Sequence, residues 1–406
     1  MTDARGRMAT EPADGWAELA AALGRRLPPD VAPAFDPAFL RSSVRYEAFV
    51  YRLVLAVLRE SGLAAALAEP GTAAELVARA GLDPRPALVP IDWLLRYLAG
   101  HRAVEPAGSG EPRRYRLAGP LPALDPGPVR DEQRADDPSW LPAYALAETV
   151  AADYPAFLRG AVAGEEVLFS PRRFRLWVEY FSNANSLYAV NNRVGAIAVT
   201  RWLPAGEVTI VELGGGLASG AVAVLDALAA GGRLASVREY RFTEIVPAFR
   251  RRGEEVLRAR FPGAAFLTSG RADMNEPLGP QGILPASASV VYAVNTLHVA
   301  HDLDATLREI HRALRPGGAL VASECIRPWP GQAIYVEFVF NLMETFRAPR
   351  LAPPHRPNGG FLTPEQWRGA LEGAGFADVR FLPDIVALRA EFPTFYVSAI
   401  GATRPG

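Results

Sequence analysis

Residues 208–220, Val-Thr-Ile-Val-Glu-Leu-Gly-Gly-Gly-Leu-Ala-Ser-Gly, constrain the fold more than any other stretch of this chain. A β-branched run flows into three consecutive glycines and then into an apolar helical pattern. Such a strand–turn–helix junction needs residues without a Cβ where the backbone turns sharply or approaches a ligand. From Val208–Leu213 onward, β-rich runs alternate with helical patterns: Glu239–Glu244, Ala265–Thr268, Ser289–Val294, Ala319–Glu324, Val379–Phe381 and Phe395–Ile400. Alternation of this kind predicts an α/β unit with a largely parallel sheet and helices on both faces. Ligands of such sheets bind at the carboxyl ends of the strands.

The glycine loop is therefore a cofactor site of Rossmann-like type. A dinucleotide pattern would place glycine at Ser219, and the carboxylate of Glu212 suits a pyrophosphate poorly. It suits a cation. Glu244 closes the second strand, where an acid accepts ribose hydroxyls, and Asp273, followed by Met274, lies just after the third, within reach of an adenine amino group. An isolated acid is most simply a surface carboxylate, but three at successive strand ends form a pattern. Sulfonium and ammonium groups, as in S-adenosylmethionine, match it.

The stretch in front of residue 201 reads differently. Apolar residues recur at helical spacing from Tyr46 to Leu67, Thr72-Ala-Ala-Glu75 forms a capping box, and a third helix covers Pro86 to Leu98. Ala103–Glu105 and Arg114–Leu117 then form a hairpin. Three helices and a hairpin predict a helical or winged-helix domain over residues 1–118, serving dimerisation or as a lid. The DNA-reading alternative is disfavoured because the helix Pro86 to Leu98 offers only Arg96 to phosphates and carries Asp92. Residues 118–139, rich in Pro, Gly and Asp, read as a linker, and residues 119–200 as linker plus helical lid before a catalytic domain at 201–406. Tyr188, with Asn191 and Asn192, is placed to line the cofactor, although ordinary helix packing also accounts for these residues.

Composition removes other chemistry. All 43 basic residues are arginine, so Schiff-base and phosphate-loop lysine mechanisms are excluded. One cysteine, Cys325, builds neither a disulfide framework nor a thiolate zinc cluster. A formal charge of −1 gives no electrostatic reason to expect nucleic acid. No apolar run reaches the ~18 residues of a membrane span, and Asp3, Glu11 and Asp14 are unlike a signal peptide, so a cytoplasmic protein without membrane partners is expected.

At this point the residues resemble class I S-adenosylmethionine-dependent methyltransferases over roughly residues 200–400. Val-Glu-Leu-Gly-Gly-Gly resembles their first motif, with Gly214 and Gly216 at its glycine positions and Ala218 where a third glycine is usual. Asn295-Thr-Leu-His298, the helix Leu303–Leu314 and Arg315-Pro-Gly-Gly318 resemble the fourth and post-fourth motifs. The resemblance implies S-adenosylmethionine as cofactor, held by Glu212, Gly214, Gly216, Glu244, Asp273, Met274, Asn295 and Tyr188. It also makes the strands ending near His298 and Glu324 neighbours, so that the two side chains can form a catalytic dyad, a base oriented by a carboxylate.

Arg241-Phe-Thr-Glu-Ile-Val-Pro-Ala-Phe249 and the His–Glu spacing are similar to polyketide synthase C-methyltransferase domains, in which the pair deprotonates the α-carbon of a β-ketoacyl thioester. The N-terminal half and Ser323-Glu-Cys-Ile326 resemble winged-helix O-methyltransferases. The dyad does not choose between carbon and oxygen; the second motif and Asp302–Leu307 favour carbon. Expected partners are a small-molecule or carrier-tethered acyl substrate and a second copy of the chain. Arg172-Arg173 and Arg250–Arg252 either dock an acidic carrier or are solvated helix faces, the second being favoured. His301 and Asp302 with Gln332 are chemically able to hold a hard metal, but capping of the following helix is the favoured reading and no metal is assigned. A cofactor-sensing regulator and a nicotinamide oxidoreductase are the competing classes.

Overall fold

The computed structural model describes residues 13–406. Asp3 and Glu11, used above against a signal peptide, lie outside the described residues. Among the described residues no helix is long and apolar enough to cross a membrane. The chain divides into two compact units.

One unit comprises residues 13–22, Phe35–Tyr180 and Trp329–Arg347. Its longest helix, Pro37–Glu60, begins where Asp36 accepts the Phe39 N–H at 2.7 Å and Pro37 fills the first turn. Thr72 and Glu75 form the expected capping box of helix Ala73–Arg79. Helix Pro84–Gly100 follows, and then the antiparallel hairpin of β1 (Val104–Pro106) and β2 (Tyr115–Leu117). The stretch 118–139 departs from the linker reading, because Gly127–Asp136 is a helix. Val129 and Gln133 are buried, Gln133 donates to Ser42 Oγ, and Asp136 receives both Arg41 and Arg45. Tertiary ion pairs and one buried face hold a helix that composition alone argues against.

The other unit comprises Leu23–Ala34, Phe181–Pro328 and Ala348–Gly406. Its strands are β3 (Val208–Leu213), β4 (Val237–Thr243), β5 (Leu267–Gly270), β6 (Ala288–Val294), β7 (Leu314–Cys325), β8 (Ala377–Leu382) and β9 (Val397–Thr403). They form one sheet in the order β5-β4-β3-β6-β7-β9-β8. The first five are mutually parallel, and β9 runs antiparallel to both β7 and β8. Each of the seven strands overlaps the run that alternation placed, with β5 and β9 displaced toward the C-terminus and β7 beginning earlier, at Leu314. β3 and β6 are mostly apolar and buried at every position, as expected of strands covered on both faces. Strand order reverses between β4-β3 and β6, which opens a crevice at the carboxyl ends of β3 and β6.

Helix Ser186–Trp202, which the sequence pattern assigned to the segment in front, belongs to this unit and packs on β6, β7 and β9. Its last residue meets the sheet tightly: a Cβ on Gly401 of β9 would lie 2.0 Å from the Trp202 ring. The Gly401→Ala variant is therefore expected to lose about 1–3 kcal/mol through overpacking, read as a lower midpoint in urea denaturation. An unchanged midpoint would show that the indole swings aside without cost.

Candidate active site

The loop after β3 is shaped by contacts that only glycine permits. Gly214 and Gly216 have φ of 63° and 56°. A Cβ on Gly214 would approach Thr296 Cγ2, in the loop after β6, to 2.4 Å, whereas one on Gly216 would meet open space. The two loops thus abut at the switch point, and the backbone at Gly216 is accessible to a ligand. Helix Ser219–Ala230 starts from Ala218, itself left-handed at φ 65°.

Two acids hold this loop. Glu244 is buried, and its Oε2 accepts the Gly216 N–H at 2.9 Å while Oε1 accepts the Val246 N–H at 2.7 Å. Burial raises its pKa against these backbone hydrogen bonds. Glu212 pairs in register with Phe242 of β4 and Tyr292 of β6. It is only 1% exposed and lies against the glycine turn, since a Cβ on Gly220 would come within 2.8 Å of its Oε1. Burial pushes its pKa up to about 8; the Tyr240 hydroxyl opposes that shift and the Glu244 charge adds to it. Oε2 of Glu212 is buried without a hydrogen-bond partner.

The ends of β6 and β7 carry the second constellation. Val294 pairs with Ser323, which brings the residues following β6 beside the end of β7. Glu324, fully buried, accepts the N–H groups of Thr296 and Leu297 on Oε1, at 3.2 and 2.9 Å. Its Oε2 lies 2.7 Å from His298 Nδ1. The Phe361 ring packs against the imidazole with centroids 4.5 Å apart. A carboxylate that already accepts two backbone amides is a constrained acceptor for an Nδ1 proton, which leaves Nε2 as the basic nitrogen.

The remaining expected residues have varied duties. Asp273 Oδ1 accepts the backbone and side-chain amides of Asn275 at 3.0 and 3.1 Å. The Met274 carbonyl accepts the Thr306 hydroxyl. Asn295 has φ 46°, and its Oδ1 receives the Cys325 N–H at 2.8 Å, so that oxygen joins the ends of β6 and β7. Tyr188 packs edge-on against Phe181 at 5.0 Å. Both Asp302 oxygens are engaged, one capping Ala305 and the other paired with Arg350, as the capping reading holds. Among the described residues no three His, Cys, Asp or Glu side chains converge as a metal-ligand set. Arg250 and Arg252 pair with Glu254 and Glu255 on their own helix, and Arg173 with Asp153.

Comparison with known proteins adds a match of residues 218–322, from the helix after the glycine loop through most of β7, to the model of a methyltransferase domain. The chain carries a methyltransferase domain. Polyketide synthase ThaG of Burkholderia thailandensis is 34% identical over 146 residues, which are 36% of this chain and 2% of that synthase. The chain spans between 2% and 9% of the polyketide synthases it first matches. Among solved structures, the CurJ carbon methyltransferase is similar with a TM-score of 0.75 at 20% identity, over 96% of this chain and 99% of that one. The DszA carbon methyltransferase gives 0.66 at 26% identity, over 96% of each. The chain thus shares its Rossmann-like architecture with these enzymes.

S-adenosylmethionine fits the residues present. Gly216 leaves backbone open, Glu212 offers an orphaned buried oxygen to a cation, and the Glu244 carboxylate, with three backbone hydrogen bonds, keeps acceptor capacity for a ribose hydroxyl. Ile245 and Val246, directly after Glu244, are apolar yet 41% and 40% exposed, chemically suited to a planar base. The sequence reading missed them, although two apolar residues following a strand-end acid were a usable signal. It also missed Arg356 and Phe361, which lie in a Pro- and Gly-rich stretch and carry no periodic pattern.

Proposed function

We propose that the methyltransferase uses S-adenosylmethionine to methylate the α-carbon of a β-ketoacyl thioester, free or carrier-tethered, with His298 as the base. The observation that carries this reading is the buried His298–Glu324 pair at 2.7 Å, whose carboxylate is held by two backbone amides at the ends of adjacent strands. When bound, S-adenosylmethionine supplies an activated methyl group on a sulfonium. His298 Nε2 takes the α-proton, the electron pair of the C–H bond becomes that of the new C–CH3 bond, and the methyl–sulfur bond breaks. The proton stays on the imidazole, stabilised by Glu324, until solvent removes it. Alignment lowers the barrier by roughly 7–11 kcal/mol, and the base adds about 10²–10⁴-fold. Likeness to the DszA carbon methyltransferase supports carbon as the acceptor.

The test supplies methyl-labelled S-adenosylmethionine with an acetoacetyl thioester on a carrier mimic and, separately, a panel of phenols, and locates the label by carbon NMR. Label on the α-carbon is the expected result. Label on a phenolic oxygen overturns it in favour of O-methylation, and transfer to neither class overturns the acceptor assignment.

Glu212 gives this reading a second readout. With its pKa near 8 the carboxyl holds a proton at pH 7, and a cation placed beside it favours the ionised form. Binding of S-adenosylmethionine at pH 7 is therefore expected to release close to one proton, measured by calorimetry in buffers of differing ionisation enthalpy. The Glu212→Gln variant releases none. Equal heats of binding in all buffers for the unmodified protein would remove Glu212 from the cofactor's surroundings.

A further inference from the structure

Arg356 is 1% exposed, and its hydrogen bonds go to two backbone carbonyls. Nη2 donates to the carbonyl of His298 itself at 2.7 Å, and Nη1 to the carbonyl of Gly360 at 2.8 Å. Nε is buried without a partner. Residue 360 precedes Phe361, whose ring lies on the His298 imidazole. One planar fork therefore ties the backbone of the base to the backbone of the ring that packs on it. Its own main chain is fixed by reciprocal hydrogen bonds with Ala352, at 2.9 and 2.8 Å.

A buried guanidinium that lacks a tight carboxylate partner is expensive, and burial pulls this one down to about 10. The neighbouring Arg327 charge lowers it further, while Glu324 acts in the opposite direction. Of these charged groups, Glu324 is the one that contacts the imidazole itself. The flanking pairs, Asp302 with Arg350 and Asp304 with His355, are internally matched.

We propose that Arg356 is a positioning residue for the His298–Glu324 pair. It locks the imidazole between carboxylate and aromatic ring. The proposal rests on the base reading above.

The experiment compares R356Q, R356K and H298A with the unmodified protein. Turnover is measured on the acetoacetyl thioester with kcat and KM separated, and S-adenosylmethionine binding by calorimetry. R356Q removes the fork that ties residue 298 to residue 360. Its kcat is expected to fall about tenfold or more through misplacement of the base, while cofactor affinity and KM stay within about twofold. R356K keeps a donor but not the planar fork, so its turnover is intermediate. Normal turnover in R356Q overturns the proposal. Should R356Q fail to bind cofactor, R356K decides, and wild-type turnover there overturns it. H298A separates the two readings: full turnover in H298A sinks the base and this proposal together, whereas loss in H298A beside an unaffected R356Q sinks the positioning role alone.

Discussion

Replacing His298 by alanine is expected to cut turnover by about 10²-fold or more while S-adenosylmethionine still binds with nearly unchanged affinity. The separation follows from geometry. The glycine loop, Glu212 and Glu244 make their contacts at the ends of β3 and β4, whereas His298 follows β6 and contacts Glu324, Phe361 and Arg356. Truncation leaves the Arg356 bond in place, because that bond is made to the residue 298 carbonyl and not to its ring. The loss should fall in kcat, since the base acts on a proton that moves only in the transition state. Alignment beside an activated methyl donor leaves residual rate, so turnover should drop without vanishing. Turnover within about twofold of wild type would show that the acceptor needs no base, and that the pair is structural.

Much of this arrangement was legible because the strands announce themselves. β3 and β6 are mostly apolar, β-branched runs, and the three glycines after Leu213 mark a sharp turn of the backbone. The order β3-β6-β7 then brings the ends that carry His298 and Glu324 side by side. Other features depend on tertiary contacts that no local pattern records. Helix Gly127–Asp136 looked like a linker because Pro and Asp disfavour helices, yet Arg41 and Arg45 hold its last turn through Asp136. An arginine among prolines and glycines reads as solvated, so nothing in 351–360 indicated that Arg356 is buried against the backbone carbonyl of His298. Position at a strand end predicted an acid at Glu212, but its near-complete burial against the glycine turn depends on how closely helix Ser219–Ala230 approaches at Gly220.

Glu324→Gln is the sharper test of the pair, because it preserves shape while changing which group donates. In the unmodified protein Oε1 accepts two backbone amides and Oε2 faces His298 Nδ1. A glutamine that keeps its carbonyl toward Thr296 and Leu297 must turn its NH2 toward Nδ1. That donor forces the imidazole proton onto Nε2, the nitrogen that has to accept from substrate. Turning the amide over restores the tautomer but sets NH2 against two backbone donors in a fully buried site, a penalty of about 1–3 kcal/mol for each group left unsatisfied. Either orientation also removes the negative charge that stabilises the imidazolium formed on proton transfer. Turnover is therefore expected to fall by about 10³-fold or more, with cofactor affinity retained as evidence that the unit is folded. Stopped turnover combined with lost cofactor binding would point instead to collapse of the β6–β7 junction. Near-normal turnover with normal binding would show that His298 acts without its carboxylate, which the hydrogen bonds around Glu324 argue against.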